Sequence, residues 1–102
     1  MIGRNWHGWT KRTDANVYEK LLRDEIFPSI AARKIRGYRG AELFIREDGN
    51  KVEFVTLLRF DSIDAVKEIA DADTSQPVIY PKAEVLITRM EQARHYRVAI
   101  GR

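Results

Sequence analysis

Residues 4 to 10, RNWHGWT, alternate as a strand does, with Asn5, His7 and Trp9 on one face and Trp6, Gly8 and Thr10 on the other. Both faces carry bulky, partly polar groups. A strand open to water on one side does not need them, so one face is expected to meet a partner chain or line a ligand cavity. From Thr10 to Gly37 the apolar period lengthens to that of a helix, with Val17, Tyr18, Leu21 and Leu22 on one stripe and Ile26, Phe27, Ile30 and Ala31 continuing it. Thr13 or Asp14 can cap its start, Gly37 can stop it, and Pro28 should kink or restart it because proline lacks a backbone donor.

The period returns to two in YRGAELFIREDGNKVEFVTLLRF, where Asp48-Gly49 and Asn50 separate two strand-like runs and signal a hairpin. Asp61 or Ser62 then caps a short helix buried through Ile63, Val66, Ile69 and Ala70. A polar loop, DADTSQ, leads into PVIYPK. From Pro81, the residues Ala83, Leu86, Ile87 and Met90 favour another short helix near 82–90, although EVLIT alone also reads as a strand. ARHYRVAI supplies the last strand.

The order is βαββαβ with an extra helix, which predicts an α+β, ferredoxin-like sandwich: a four-stranded antiparallel sheet with helices on one face. In FVTLLRF, Phe54, Leu58 and Phe60 fall on one face and Val55 and Leu57 on the other. An apolar second face needs its own cover. Pairing of two sheets in a homodimer, giving a dimeric α+β barrel, is the economical solution.

Composition narrows the function classes. The 102 residues form a single domain, and cysteine is absent, which removes thiol nucleophiles, disulfides and Cys-based metal sites. Eighteen basic residues against fifteen acidic ones give a charge of only +3, and they are scattered, so a nucleic-acid interface is not expected. No stretch has the length of a membrane span, and MIGRNWHGWTKR lacks a signal peptide's apolar segment, so a cytoplasmic protein is expected. Two histidines without a carboxylate pattern make no metal site, and no phosphate loop, dinucleotide fingerprint or nucleophile elbow is present.

WHGWT in the first strand, GYRGAEL entering the hairpin, VEF with RFDSIDAV, then VIYP and the terminal HYRV together resemble the small antibiotic biosynthesis monooxygenase-like proteins of the dimeric α+β barrel superfamily. The likeness runs through nearly the whole chain in order. It implies a cofactor-independent monooxygenase-like enzyme acting on a small aromatic or polyketide-type substrate, and it places Asn5 near an Asn of the family's first strand. The haem-degrading branch also uses a Trp and a His. Here they would fall at about Ile69 and at Ile79 or Tyr80, so the residues argue against haem degradation by that set and leave other modes of haem binding open.

Chemistry without a cofactor needs a base, donors for the resulting anion, and an apolar chamber. His7 or His95 can supply the base and Asn5 a donor to a substrate oxygen, making these three the candidate catalytic residues. Trp9 and Phe60 can contact a planar ring, Tyr80 and Tyr96 can donate hydrogen bonds, and Arg97 can favour an anion. Each also has a structural reading: Trp6 and Trp9 as packing, the histidines as satisfied core groups, Asn5 as a backbone partner, Arg97 as an ion-pair member. The competing functions are a non-catalytic dimeric module that binds a small hydrophobic ligand or is purely structural, and an isomerase or cyclase using the same pocket. If the pocket lies between sheet and helices, Asn5, His7 and Trp9 should enter it together, and register decides whether His95 joins them.

Overall fold

The computed structural model describes residues 1–70 and 80–100; the polar loop expected at 71–76 lies outside them. β1 (Ile2–Lys11) is the spine of the sheet. It pairs antiparallel along its whole length with β3 (Lys51–Phe60), from Ile2 opposite Phe60 to Lys11 opposite Lys51. β3 in turn pairs with β2 (Tyr38–Asp48). Asp48 stands opposite Lys51, leaving Gly49 and Asn50 as a two-residue turn, and Gly49 has φ +64°, where glycine carries no side-chain penalty. The hairpin is therefore where the sequence pattern puts it.

The other edge of β1 is shared end to end by two short strands. β4 (Ile87–Met90) pairs with Gly8 to Thr10, and β5 (Arg94–Arg97) pairs with Ile2 to Asn5. The sheet is antiparallel with the order β2-β3-β1-β4 and β5 beside β4's end of the path on β1, the ferredoxin-like arrangement. Two expectations need correcting. The helix expected near 82–90 is confined to Pro81–Glu84, and residues 87–90 are strand, so the sheet has five strands rather than four. The open edge of β1 decides this: the Glu91 amide donates to the His7 carbonyl and the Thr88 hydroxyl to the Trp9 carbonyl, satisfying backbone groups that a helix would have left exposed.

Helices cover one face. A 3-10 turn (Arg12–Asp14) leads into α1 (Ala15–Leu21), a wider π turn spans Leu22–Ile26, and α2 (Phe27–Ala32) resumes with Pro28 in its first turn. The restart at Pro28 follows from its missing N–H and ring clash. α3 (Ile63–Val66) is capped by Ser62, whose hydroxyl accepts from the Ala65 amide at 3.3 Å, and α4 (Pro81–Glu84) closes the layer. Tyr18, Leu21, Leu22, Ile26 and Ile30 are buried against the sheet, whereas Val17, Ala31 and Ile63, expected on the buried stripes, are exposed. Val52, Phe54, Leu58 and Phe60 supply the β3 half of this core.

Candidate functional site

Pairing fixes which side of β1 the helices take. Arg4, Trp6, Gly8 and Thr10 lie opposite Leu58, Thr56, Phe54 and Val52, so they share the helix-covered face. Between this face and the helices is a cavity of about 70 Å³, large enough for several water-sized volumes. Its apolar walls come from Leu22, Ile26, Phe27 and Ile30 on the helices, Leu58 on β3, and Ile69, Ala83 and Ile87. Its polar lining is Arg4, Trp6, Tyr18, Thr56 and Tyr80. Among the described residues, the lining contains no carboxylate and no histidine. Every polar side chain there can donate a hydrogen bond, so the chamber favours an oxygen acceptor or anion.

Arg4 is 4% exposed, and burial holds its pKa below the ordinary arginine value. Its Nη1 donates to Nε2 of His95 at 2.9 Å. Arginine has no acceptor, so His95 Nε2 is unprotonated in this contact and Nδ1 carries the proton of the neutral ring. Burial and, secondarily, the Arg4 charge lower the His95 pKa. Tyr18 meets Phe54 edge to face, with centroids 4.7 Å apart, and burial pushes its phenol pKa well upward, so it remains a hydroxyl. The Trp6 indole lies across Gly8: a Cβ there would come within 2.3 Å of Trp6 Cη2, which explains a glycine inside this strand.

The opposite face holds a separate polar network. Asn5, His7 and Trp9 lie opposite Leu57, Val55 and Glu53. His7 Nδ1 is 2.6 Å from Glu53 Oε2, and Arg46 Nε donates to Glu53 Oε1 at 2.9 Å. The hydrogen bond to His7, then the contacts with Arg46, outweigh burial and hold the Glu53 carboxyl below its ordinary pKa. Trp9 Nε1 donates to Asp48 Oδ2 at 3.0 Å, and the Arg89 guanidinium sits 4.4 Å above its ring. Beside this cluster Phe44 and Tyr96 are about half exposed, and Val55 and Leu57 are partly so.

The eight candidate residues are thus divided. Asn5, His7 and Trp9 do share a face, but it is the face away from the helices, so they do not line the cavity between sheet and helices. His95 pairs with Arg4 and sits on the helix side, apart from His7. Phe60 is buried in a second core cluster with its ring 5.6 Å from that of Tyr38, outside the cavity lining. Tyr96 and Arg97 are exposed on β5. Tyr80 alone of the eight lines the cavity. The residues that sequence reasoning missed, Arg4, Trp6, Tyr18 and Thr56, carried one usable signal: Arg4 has the same strand parity as Trp6 and Thr10, a charge placed on a core-facing row.

No family model matches the sequence, and no curated protein matches it. Solved structures do. A Bacillus cereus protein described as an antibiotic biosynthesis monooxygenase superposes with TM-score 0.65 at 14% identity, over 99% of this chain and 95% of the other. The haem-degrader MhuD from Mycobacterium tuberculosis, solved with two haems in its active site, superposes with TM-score 0.61 at 15% identity, over 98% of each chain. At such identities the likeness is one of architecture, and it extends to almost every residue: the chain has the α+β fold shared by an antibiotic biosynthesis monooxygenase and a haem-degrading protein.

Proposed function

We propose that the cavity between β1 and the helices binds a small aromatic or polyketide-type molecule and holds it as an enolate or phenolate for reaction with oxygen, without a cofactor. One observation carries this reading: an apolar chamber in which, among the described residues, every polar lining side chain can donate a hydrogen bond, with the buried Arg4 among them. Such donors stabilise a developing oxygen anion more strongly than water does, because they are fixed in a low-dielectric site. The anion supplies the electrons. For an activated methylene, carbon gives up both hydrogens, one oxygen atom becomes its carbonyl and the other leaves as water. Arg4, Trp6 and Tyr18 line the cavity where the sequence suggested Asn5 as donor, and Tyr80 stands beside them as suggested.

Among the described residues, the lining offers no histidine or cysteine to hold a haem. The chain has no cysteine, His95 Nε2 is engaged by Arg4, and His7 is on the opposite face. Oxygen uptake measured with a panel of anthrone- and quinol-type compounds tests the monooxygenase reading; uptake should be saturable and should fall at least tenfold in Arg4→Met. Uptake no faster than without protein would overturn it. That the described lining residues include no carboxylate or histidine favours the alternative, a ligand-binding module without turnover, which predicts saturable binding and no oxygen uptake.

The second sheet face is assigned to another copy of the chain, forming a homodimer with Phe44, Val55, Leu57 and Tyr96 at its centre. Its support is the apolar area left by the described helices, which lie on the other side. Sedimentation at micromolar concentration should give twice the chain mass, and Phe44→Asp should return it to one.

A further inference from the structure

We infer that the ligand site has two parts: the cavity takes only a terminal carbonyl or enolate head, and a neighbouring groove between the Leu22–Ile26 turn and α4 takes the apolar body. This rests on the proposal that the cavity is a ligand site, and it names the molecules that fit there as those with an oxygen at one end. At a water's share of about 30 Å³, the cavity of about 70 Å³ has room for about two or three non-hydrogen atoms. An acetyl group is of that size. Tyr18 and Thr56 line this space and are more than nine-tenths buried. Neither hydroxyl has a hydrogen-bond partner among the described residues, and neither is closed to water as Trp6 Nε1 is. Buried hydroxyls are normally paired, so a water or a ligand oxygen is the expected partner.

The groove has the capacity that the cavity lacks. Its volume is about 420 Å³, within the range of small-molecule sites. Ile26 and Tyr80 line both spaces and so form the partition between them. Ile26 is fixed in the core, whereas Tyr80 is only partly buried, so the Tyr80 ring is the member that turns aside to join the two. Leu21 and Pro81 add apolar wall to the groove. Its other polar side chains among the described residues are engaged: Ser29 Oγ donates to the Ile26 carbonyl at 2.7 Å, and Lys82 Nζ donates to Glu25 Oε1 at 2.7 Å. The cavity thus offers two unpaired hydroxyls in little space, and the groove offers apolar contact in ample space. An oxygen-bearing head on a hydrocarbon body is complementary to that division.

Calorimetry with straight-chain ketones tests both parts. From butan-2-one to heptan-2-one the affinity of the native chain should rise about fourfold per methylene, the worth of burying each one in the groove. Heptan-4-one has the same atoms with its oxygen in mid-chain, so its head is too large for the cavity, and it should bind about tenfold more weakly than heptan-2-one. Tyr18→Phe should weaken every 2-ketone about tenfold and leave the dependence on chain length intact. Ser29→Trp, which fills the groove from an exposed position, should do the reverse: it flattens the series and spares butan-2-one. A flat series in a native chain that still separates the two heptanones overturns the groove assignment. Equal affinity for the two heptanones overturns the head assignment. Binding of quinol-type compounds but of no ketone overturns the two-part site while the cavity stands as a ligand site. Binding of neither class overturns both readings.

Discussion

On the helix side of β1, Arg4, Trp6 and Thr10 are buried under α1, α2 and the segments around Ile69 and Tyr80. On the other side, Trp9 and Glu53 are just as buried, yet no helix among the described residues lies over them. Their cover is side chains of the sheet itself: Arg89 over the Trp9 ring, and His7 and Arg46 on the Glu53 carboxylate. Long cationic side chains can shield an apolar ring with their stems while their heads stay in water. The comparison teaches that burial alone does not identify a binding chamber. One face buries its residues by packing and leaves both a cavity and a fully buried donor without a partner; the other buries them by ion pairs and leaves no donor unmet among the described residues.

The largest contrast between the faces should come from two phenylalanines. Phe54 is fully buried on the helix side and Phe44 is half exposed on the other. Phe54→Ala should cost about 3–5 kcal/mol in denaturant unfolding, and Phe44→Ala less than about 0.5 kcal/mol when measured on monomeric chains. Similar losses at both positions would remove the distinction. Next in size is Gly8→Ala. Its methyl group would strike the Trp6 ring at 2.3 Å, so the ring must shift, at about 1–3 kcal/mol. The Trp6 fluorescence maximum should move with it, as it would not for a change confined to the open face.

Much of this architecture was already written in the alternation of residues. The two rows of β1, the turn at Gly49 and Asn50, the restart at Pro28 and the Ser62 cap are local events, set by the period of two, glycine's freedom at positive φ, proline's missing donor and a hydroxyl's reach to a nearby amide. The strand at 87–90 was ambiguous for a physical reason. Ile87 and Thr88 are compatible with either state locally, and only the free edge of β1 selects one.

Smaller effects sharpen the comparison of the polar pairs. Glu53→Gln keeps the shape but weakens the contacts with His7 and Arg46, and should cost about 1 kcal/mol in thermal or denaturant unfolding. The smallest effect is in pH dependence, where the two faces should separate by window. The folded-state pKa of His95 lies below its ordinary 6.5, so the unfolded chain binds that proton first. The stability it contributes is complete above the ordinary histidine range and is lost as pH falls through 6.5 toward the lowered value. Glu53, held below 4.5, contributes stability that is present above 4.5 and lost only as pH falls below it. Thermal midpoints measured across this range should therefore flatten near neutral pH in His95→Gln and in the acid limb in Glu53→Gln. A neutral-pH slope unchanged by His95→Gln would separate that histidine from the buried arginine.

The sequence by itself determined that Asn5, His7 and Trp9 travel together and that Arg4, Trp6 and Thr10 travel together, because side-chain alternation on a strand is a local property of the backbone. It could not say which row the helices would cover, since both rows carry aromatic and polar groups in comparable measure. That was decided by register: Arg4 falls opposite Leu58 and Trp6 opposite Thr56, on the row whose Phe54 and Phe60 close the core beneath the helices. The same register sets His95 beside Arg4 rather than His7. Shifting a strand by one residue would exchange its rows, so the contents of the cavity are fixed only when all the neighbours of β1 are in place.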